Sequence, residues 1–326
     1  MNYYYKKFRR KLKDFIHLRN LKKYYNNSNP PLAASNQRII YMCDGHRHHG
    51  GLGDRLSGLI STYAYCKEVG KEFKAYWVSP YNLSDFLIPN EYDWRIEKDE
   101  ISYNSNSSTP VFISYNESLS EQQAFAKKLL DGRKEQQVHV YTNMKYPYPQ
   151  NFPYLFKELF KPSPLLQNAI DKHRVNLPKE YISITFRFQQ LLGDLEEGNF
   201  PTLKTMEERQ ALINRCTQYV KEIHKQNPQY KKILVTSDST TFLNSLKNLP
   251  YVYIIEGEVV HVDFNTKDVD KTVHLKSFID LFLIADASKI YCVIQKPLYK
   301  SGFPLFASLV NGHMFINVDK QFLLPR

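Results

Sequence analysis

The sequence predicts an α/β protein of two Rossmann-like domains facing each other across a cleft, and three observations predict it. A strand, a glycine-rich turn, a helix and a second strand follow one another over residues 37–78. From residue 181 onward, short apolar strands alternate with amphipathic helices, the pattern of a parallel, doubly wound sheet. The chain has 326 residues, more than a single hydrophobic core usually serves, which is about 250–300.

Residues 1–30 hold nine Lys/Arg and one acid, Asp14. Tyr5, Phe8, Leu12 and Phe15 recur among those charges at helical spacing, so this is a basic amphipathic tail. "NNSNPPLAASN" (26–36) is a turn-rich linker. "QRIIYMCD" (37–44) reads as a buried strand, and "DRLSGLISTYAYCKEVG" (54–70) as a helix with a Leu56, Leu59, Ile60, Tyr63, Cys66 stripe. "KEFKAYWV" (71–78) completes a βαβ unit. Residues 81–118, rich in Asn, Ser and Tyr, are expected to be irregular loops. A helix over 120–132, a strand over 137–143 and proline-interrupted helices over 151–178 follow. The second half gives strands at 181–188, 231–237, 251–257, 289–294 and 313–318. Helices at 205–226, 239–249, 276–288 and 302–312 lie between them. The expected divisions are the tail 1–30, an N-terminal domain 37–165 and a C-terminal domain 166–326.

Composition bounds the function classes. The hydrophobic share of 42% and charged share of 24% are those of a globular protein. The tail carries +8 of the formal +11, leaving the body nearly balanced, so no basic groove for nucleic acid is expected there. The tail itself suits an anionic membrane surface, a nucleic acid, or plain solvation as a charged segment. Four scattered cysteines without C-x-x-C spacing read as reduced thiols. With neither a signal-peptide core nor a membrane span, the expected location is the cytoplasm, with the tail as an optional peripheral membrane contact at residues 1–23.

The chemistry-bearing stretches are few. In "CDGHRHHGGLGDRLSGL" (43–59), His46, His48 and His49 alternate too tightly to converge on a metal. Gly50, Gly51 and Gly53 stand between strand and helix, where they make either a phosphate cradle at a helix start or a packing turn. The pattern is neither G-x-G-x-x-G nor a P-loop. Arg187 ends an apolar strand and either pairs with a buried carboxylate or points into the cleft, where its planar fork suits pyrophosphate. Asp194, Glu196 and Glu197 follow it as acids for substrate contact or general-base work, or as a solvated loop. Asp238, in "VTSDS", is either a helix cap or a cleft residue. Asp280 interrupts an apolar helix face, and Ser301-Gly302-Phe303 opens another helix.

Together, "GGLGDRLSGL", the Thr185-Phe186-Arg187 strand end, "VTSDS" and "SFIDLFLIADASKIYCV…SGF" resemble the fucosyltransferase superfamily. That group spans the α-1,2-, α-1,6- and protein O-fucosyltransferases and the rhizobial nodulation enzymes. The resemblance implies a GT-B fold using GDP-fucose without metal or other cofactor. It implies that Arg187 holds the donor pyrophosphate, that Asp238 contacts the nucleotide, and that Asp280 is the acid on the helix before the last strand. Ser301, Gly302 and Phe303 would bind phosphate, and the loop containing Gly51, Gly53, Asp54 and Arg55 would close on donor and acceptor. Thr185 stands where the family has His, and Asp54 where it has Asn, departures that bear on donor identity and linkage.

The expectation is therefore an inverting, metal-independent glycosyltransferase acting on a glycan or lipid-linked glycan in surface polysaccharide synthesis. Catalysis would rest on Arg187 and on Glu196 or Glu197, with no nucleic-acid partner. A same-fold enzyme using another nucleotide sugar, or a non-catalytic nucleotide- or glycan-binding protein, would carry the same fold.

Overall fold

The computed structural model describes residues 3–31, 37–114, 119–143, 151–194, 200–257 and 271–323. They form two compact units, Met1–Lys161 and Pro162–Arg326.

The first unit contains α1 (Tyr3–Lys22), β1 (Arg38–Cys43), α2 (Leu52–Val69), β2 (Glu72–Trp77), β3 (Leu87–Pro89), β4 (Ser108–Phe112), α3 (Leu119–Leu130), β5 (Gln137–Tyr141), α4 (Phe152–Leu159) and β6 (Phe160–Pro162). Its main sheet has the order β2-β1-β5-β4, parallel throughout. The chain leaves β1 through α2 toward one edge, whereas β5 is reached from the other edge. The crevice beyond the carboxyl ends of β1 and β5 is therefore the switch point where open α/β sheets bind ligands. A short β3-β6 ribbon completes the unit.

Glycine decides how α2 sits. Gly50 has φ 78°, a left-handed value that a side chain disfavours, and Gly51 caps the helix with extended backbone. A Cβ on Gly58 would lie 2.4 Å from the Thr142 carbonyl oxygen. Helix and strand end can touch there only because the side chain is missing.

Two stretches depart from expectation. Residues 81–118 are not all loop, since Ser108–Phe112 forms β4. The run is short and contains Pro110, which can stand in an edge strand because it has no N–H to donate. β4 is such an edge, paired among the described residues with β5 alone. Residues 26–31, expected as part of a linker, are fastened to the unit. The Asn26 N–H donates to the Tyr103 carbonyl at 3.1 Å, and Asn104 Nδ2 donates to the Asn29 carbonyl at 2.6 Å.

The second unit contains α5 (Pro164–Arg174), β7 (Ile182–Phe186), α6 (Met206–Gln226), β8 (Ile233–Ser237), α7 (Thr240–Ser245), β9 (Val252–Tyr253), α8 (Leu275–Asp286), β10 (Lys289–Val293), α9 (Phe303–Asn311) and β11 (Met314–Val318). The parallel order is β11-β10-β7-β8-β9, so its switch point lies between β7 and β10. β7 and β8 are buried along their whole length, as their apolar runs require. α6 starts with a reciprocal Thr205–Glu208 capping box. The strand expected over 251–257 shrinks to Val252–Tyr253, a half-buried edge. All four cysteines are buried, and none forms a disulfide.

The close approach at Gly58 predicts that Gly58→Ala destabilises the protein by about 1–3 kcal/mol, because backbone must shift to admit the methyl group. Urea unfolding checks it; an unchanged midpoint and slope would refute the contact.

Candidate functional site

In the second unit, the residues after β7 and β8 meet at the carboxyl end of the sheet, with β7 itself bordering the switch point. Arg187 leaves β7, and its Nη1 lies 3.0 Å from Asp238 Oδ2. Asp238 follows β8 and is almost wholly enclosed, whereas the arginine side chain keeps 19% of its surface exposed. The same carboxylate accepts the Phe188 N–H at 2.8 Å and the Gln189 N–H at 2.7 Å. Gln189 has φ 54°, the one positive φ outside glycine among the described residues. Backbone strain of that kind persists where the surroundings hold it. Burial pushes the Asp238 carboxyl above its usual value, against the lowering effects of Arg187 and the two backbone N–H groups. The Tyr299 N–H donates to the Arg187 carbonyl at 2.9 Å, bringing the β10–α9 loop alongside. That loop runs to Ser301 and Gly302, where α9 begins. Phe303 N–H donates to Ser301 Oγ at 3.3 Å, and the space a Cβ would take on Gly302 is open.

The first unit has its own buried carboxylate, Asp44, directly after β1. Tyr103 and Tyr141 donate hydroxyl hydrogen bonds to Asp44 Oδ2 at 2.7 and 2.8 Å, and His46 Nδ1 lies 2.9 Å from the same oxygen. Burial alone would raise this carboxyl; His46 and the two tyrosines reverse that and hold it at about 2. Arg55 is buried and faces inward. Its Nε donates to the Gly50 carbonyl at 2.8 Å and its Nη1 to the Ser79 carbonyl at 3.0 Å.

No protein-family profile matches the chain, and no curated protein does. Solved structures match in fold. The NodZ α-1,6-fucosyltransferase soaked with GDP-fucose superposes with TM-score 0.55 at 15% identity, over 88% of this chain and 97% of that one. NodZ from Bradyrhizobium gives 0.56 at 14%, over 88% and 96%. An FUT1 variant of Arabidopsis thaliana in complex with GDP gives 0.55 at 12%, over 92% and 73%. The fold is that of the GT-B fucosyltransferases.

On this fucosyltransferase fold the sequence-predicted residues separate into groups. Arg187, Asp238 and the turn Ser301, Gly302, Phe303 belong to the carboxyl-end side of the β7–β10 crevice. Asp238, expected to contact the nucleotide, has its two oxygens engaged by Arg187 and by backbone N–H groups. Asp194 is turned to the start of α7, where it accepts from the Ser239 and Thr241 hydroxyls. Asp280 is buried and pairs with Lys276 Nζ at 2.7 Å, while its Oδ1 has no hydrogen-bond partner among the described residues. Gly51, Gly53, Asp54 and Arg55 form the start of α2 in the other unit; Asp54 is exposed and Arg55 props the turn from within. Glu196 and Glu197 lie outside the described residues. So does Asp268–Asp270, the chain's one Asp-x-Asp triplet, a pattern able to hold a nucleotide-bound divalent ion.

The three histidines do not gather. His49 is buried beside Tyr141, with burial lowering its pKa to about 3. His48 is exposed, and His46 stacks on Tyr24 at 3.7 Å. Among the described residues no three His, Cys, Asp or Glu side chains converge. Lys276, Gln189 and the Asp44 cluster were not legible beforehand, because each depends on partners 4 to about 100 positions away, chosen by the fold.

Two outcomes test these arrangements. Removing the buried acceptor in Asp238→Ala should lower the unfolding free energy by about 3 kcal/mol, because Arg187 and two backbone N–H groups lose their partner, read by chemical denaturation; a loss under about 0.5 kcal/mol, the size of an ordinary surface change, would show the turn does not depend on it. Asp44 sits below the ~3.9 of an unfolded aspartate, so its ionised form stabilises the fold above that pH. The contribution is lost as pH falls toward the folded value of about 2. The stability gap between the native protein and Asp44→Asn should thus be on the order of 2 kcal/mol at pH 6 and close between pH 4 and 2. A gap constant across that range would contradict the assignment.

Proposed function

We propose that the protein is an inverting, metal-independent glycosyltransferase moving fucose from GDP-fucose to a hydroxyl of a glycan or lipid-linked glycan. It would work in surface polysaccharide synthesis at the cytoplasmic face of a membrane. The observation that carries the reading is Arg187: a guanidinium with partial exposure, held by a buried carboxylate at the switch point of a parallel sheet. The fold match supports it, and so do the GDP-fucose and GDP named for two of the matched structures.

In this reading the acceptor oxygen attacks the sugar carbon from the face opposite the phosphate. The carbon–oxygen bond to GDP breaks, and configuration inverts. Negative charge grows on the departing diphosphate. Arg187 meets that charge, while the Ser301-Gly302-Phe303 start of α9 offers backbone N–H groups to phosphate. Because Asp238 fixes the guanidinium beforehand, little reorganisation is left for the reaction itself. Asp280 lines the donor side. Glu196 or Glu197 takes the acceptor proton, a role generally contributing about 10²–10⁴ in rate. Residues 166–326 bind the donor, and residues 37–165 present the acceptor through Gly51, Gly53, Asp54 and Arg55.

A thermal-shift series with GDP, UDP and CMP, each with and without EDTA, tests donor class and metal dependence together. Stabilisation by GDP alone, unchanged by EDTA, is expected. Arg187→Ala should then reduce turnover by about 10²–10³, the usual effect of removing one charge-stabilising donor. Stabilisation by UDP only with manganese, or full turnover by Arg187→Ala, would overturn the reading.

A further inference from the structure

Helix α1 is seated on the first unit by one face and shows a second, apolar face to solvent. Asp14, His17, Leu18 and Leu21 form the seated face. Ser114 Oγ donates to Asp14 at 2.6 Å, His17 meets the Phe112 ring edge-on at 5.5 Å, and Leu18 and Leu21 join the core beside Ile40 and Met42. Tyr5, Phe8, Leu12, Phe15 and Ile16 recur at steps of three, four, three and one. At ~100° per residue they centre roughly opposite that face. All five are well exposed, Phe8 at 66% and Phe15 at 63%. A seated helix ordinarily buries its apolar stripe and shows water a polar one; this helix keeps a second apolar row outside.

Charge identifies the occupant. Arg9 and Lys13 flank the row on one side, Lys11 and Lys22 on the other, and all four are exposed. The one acid of the helix is used on the seated face. We propose that α1 is a mounted docking face for an anionic lipid bilayer, lying in the interface with its aromatic row among acyl chains and its basic flanks on the headgroups. No helix among the described residues is long and apolar enough to cross a membrane. A second copy of the chain would bring like-charged flanks together. A nucleic acid would satisfy the cations but leave the apolar row against phosphate and water. The inference is independent of the sugar-transfer reading, since it needs no nucleotide.

Vesicle co-sedimentation of the full chain tests it. Binding is expected to vesicles of phosphatidylcholine with phosphatidylglycerol, weakly or not at all to phosphatidylcholine alone, and less at high salt. The double variant Phe8→Ser, Phe15→Ser should bind at least about tenfold more weakly, with the melting temperature and the GDP response unchanged. Should that variant fold poorly, Arg9→Gln with Lys13→Gln alters only exposed charge and should weaken binding by about tenfold or more. Absence of native binding to the anionic vesicles, or undiminished binding by both variants, would overturn the proposal. So would a dimer dispersed by the Phe substitutions, or duplex binding as tight as vesicle binding. Loss of the GDP response alone would count against sugar transfer and leave α1 untouched.

Discussion

The buried Asp238 carboxylate organises the carboxyl end of the second sheet. Enclosing a carboxylate is expensive unless it is paired and hydrogen-bonded, and this one gathers three partners at once: Arg187, the Phe188 N–H and the Gln189 N–H. The chain leaving β7 is thereby bent through a backbone conformation that Gln189 would not choose alone. Tyr299 then attaches to the Arg187 carbonyl. Two strands and the loop after a third are coupled by one acid, and the arginine is left aimed and partly exposed.

The first unit uses the same device with different partners. Asp44 also stands one residue past a strand at a switch point, but tyrosines and a histidine hold it. Tyr25 extends the cluster, with its hydroxyl 3.1 Å from Tyr141 Oη and 2.7 Å from His139 Nδ1. Because Tyr24 and Tyr25 stand two and three residues past the end of α1, and Tyr24 stacks on His46, the helix and the glycine-rich turn share one network. The basic segment is therefore an integral part of the first unit.

Residue types and spacing determined the alternating elements, the glycine turn before α2, the exposed aromatic row of α1 and the Arg187 strand end. Those signals are local: apolar period, missing side chains, and a charge placed at the end of an apolar run. The β4 edge strand is not legible because five residues with a proline carry too little pattern, and the 251–257 run yields a strand only at Val252–Tyr253 because an apolar run does not reveal how much of it finds a partner. Tertiary structure alone decided what each polar group does. It turned Asp194 to a helix start, Arg55 to loop carbonyls and Asp238 to Arg187, and it set Gly58 against Thr142. Every one of these depends on which strand ends lie side by side, and that order comes from the packing of whole sheets, which no local stretch of sequence encodes.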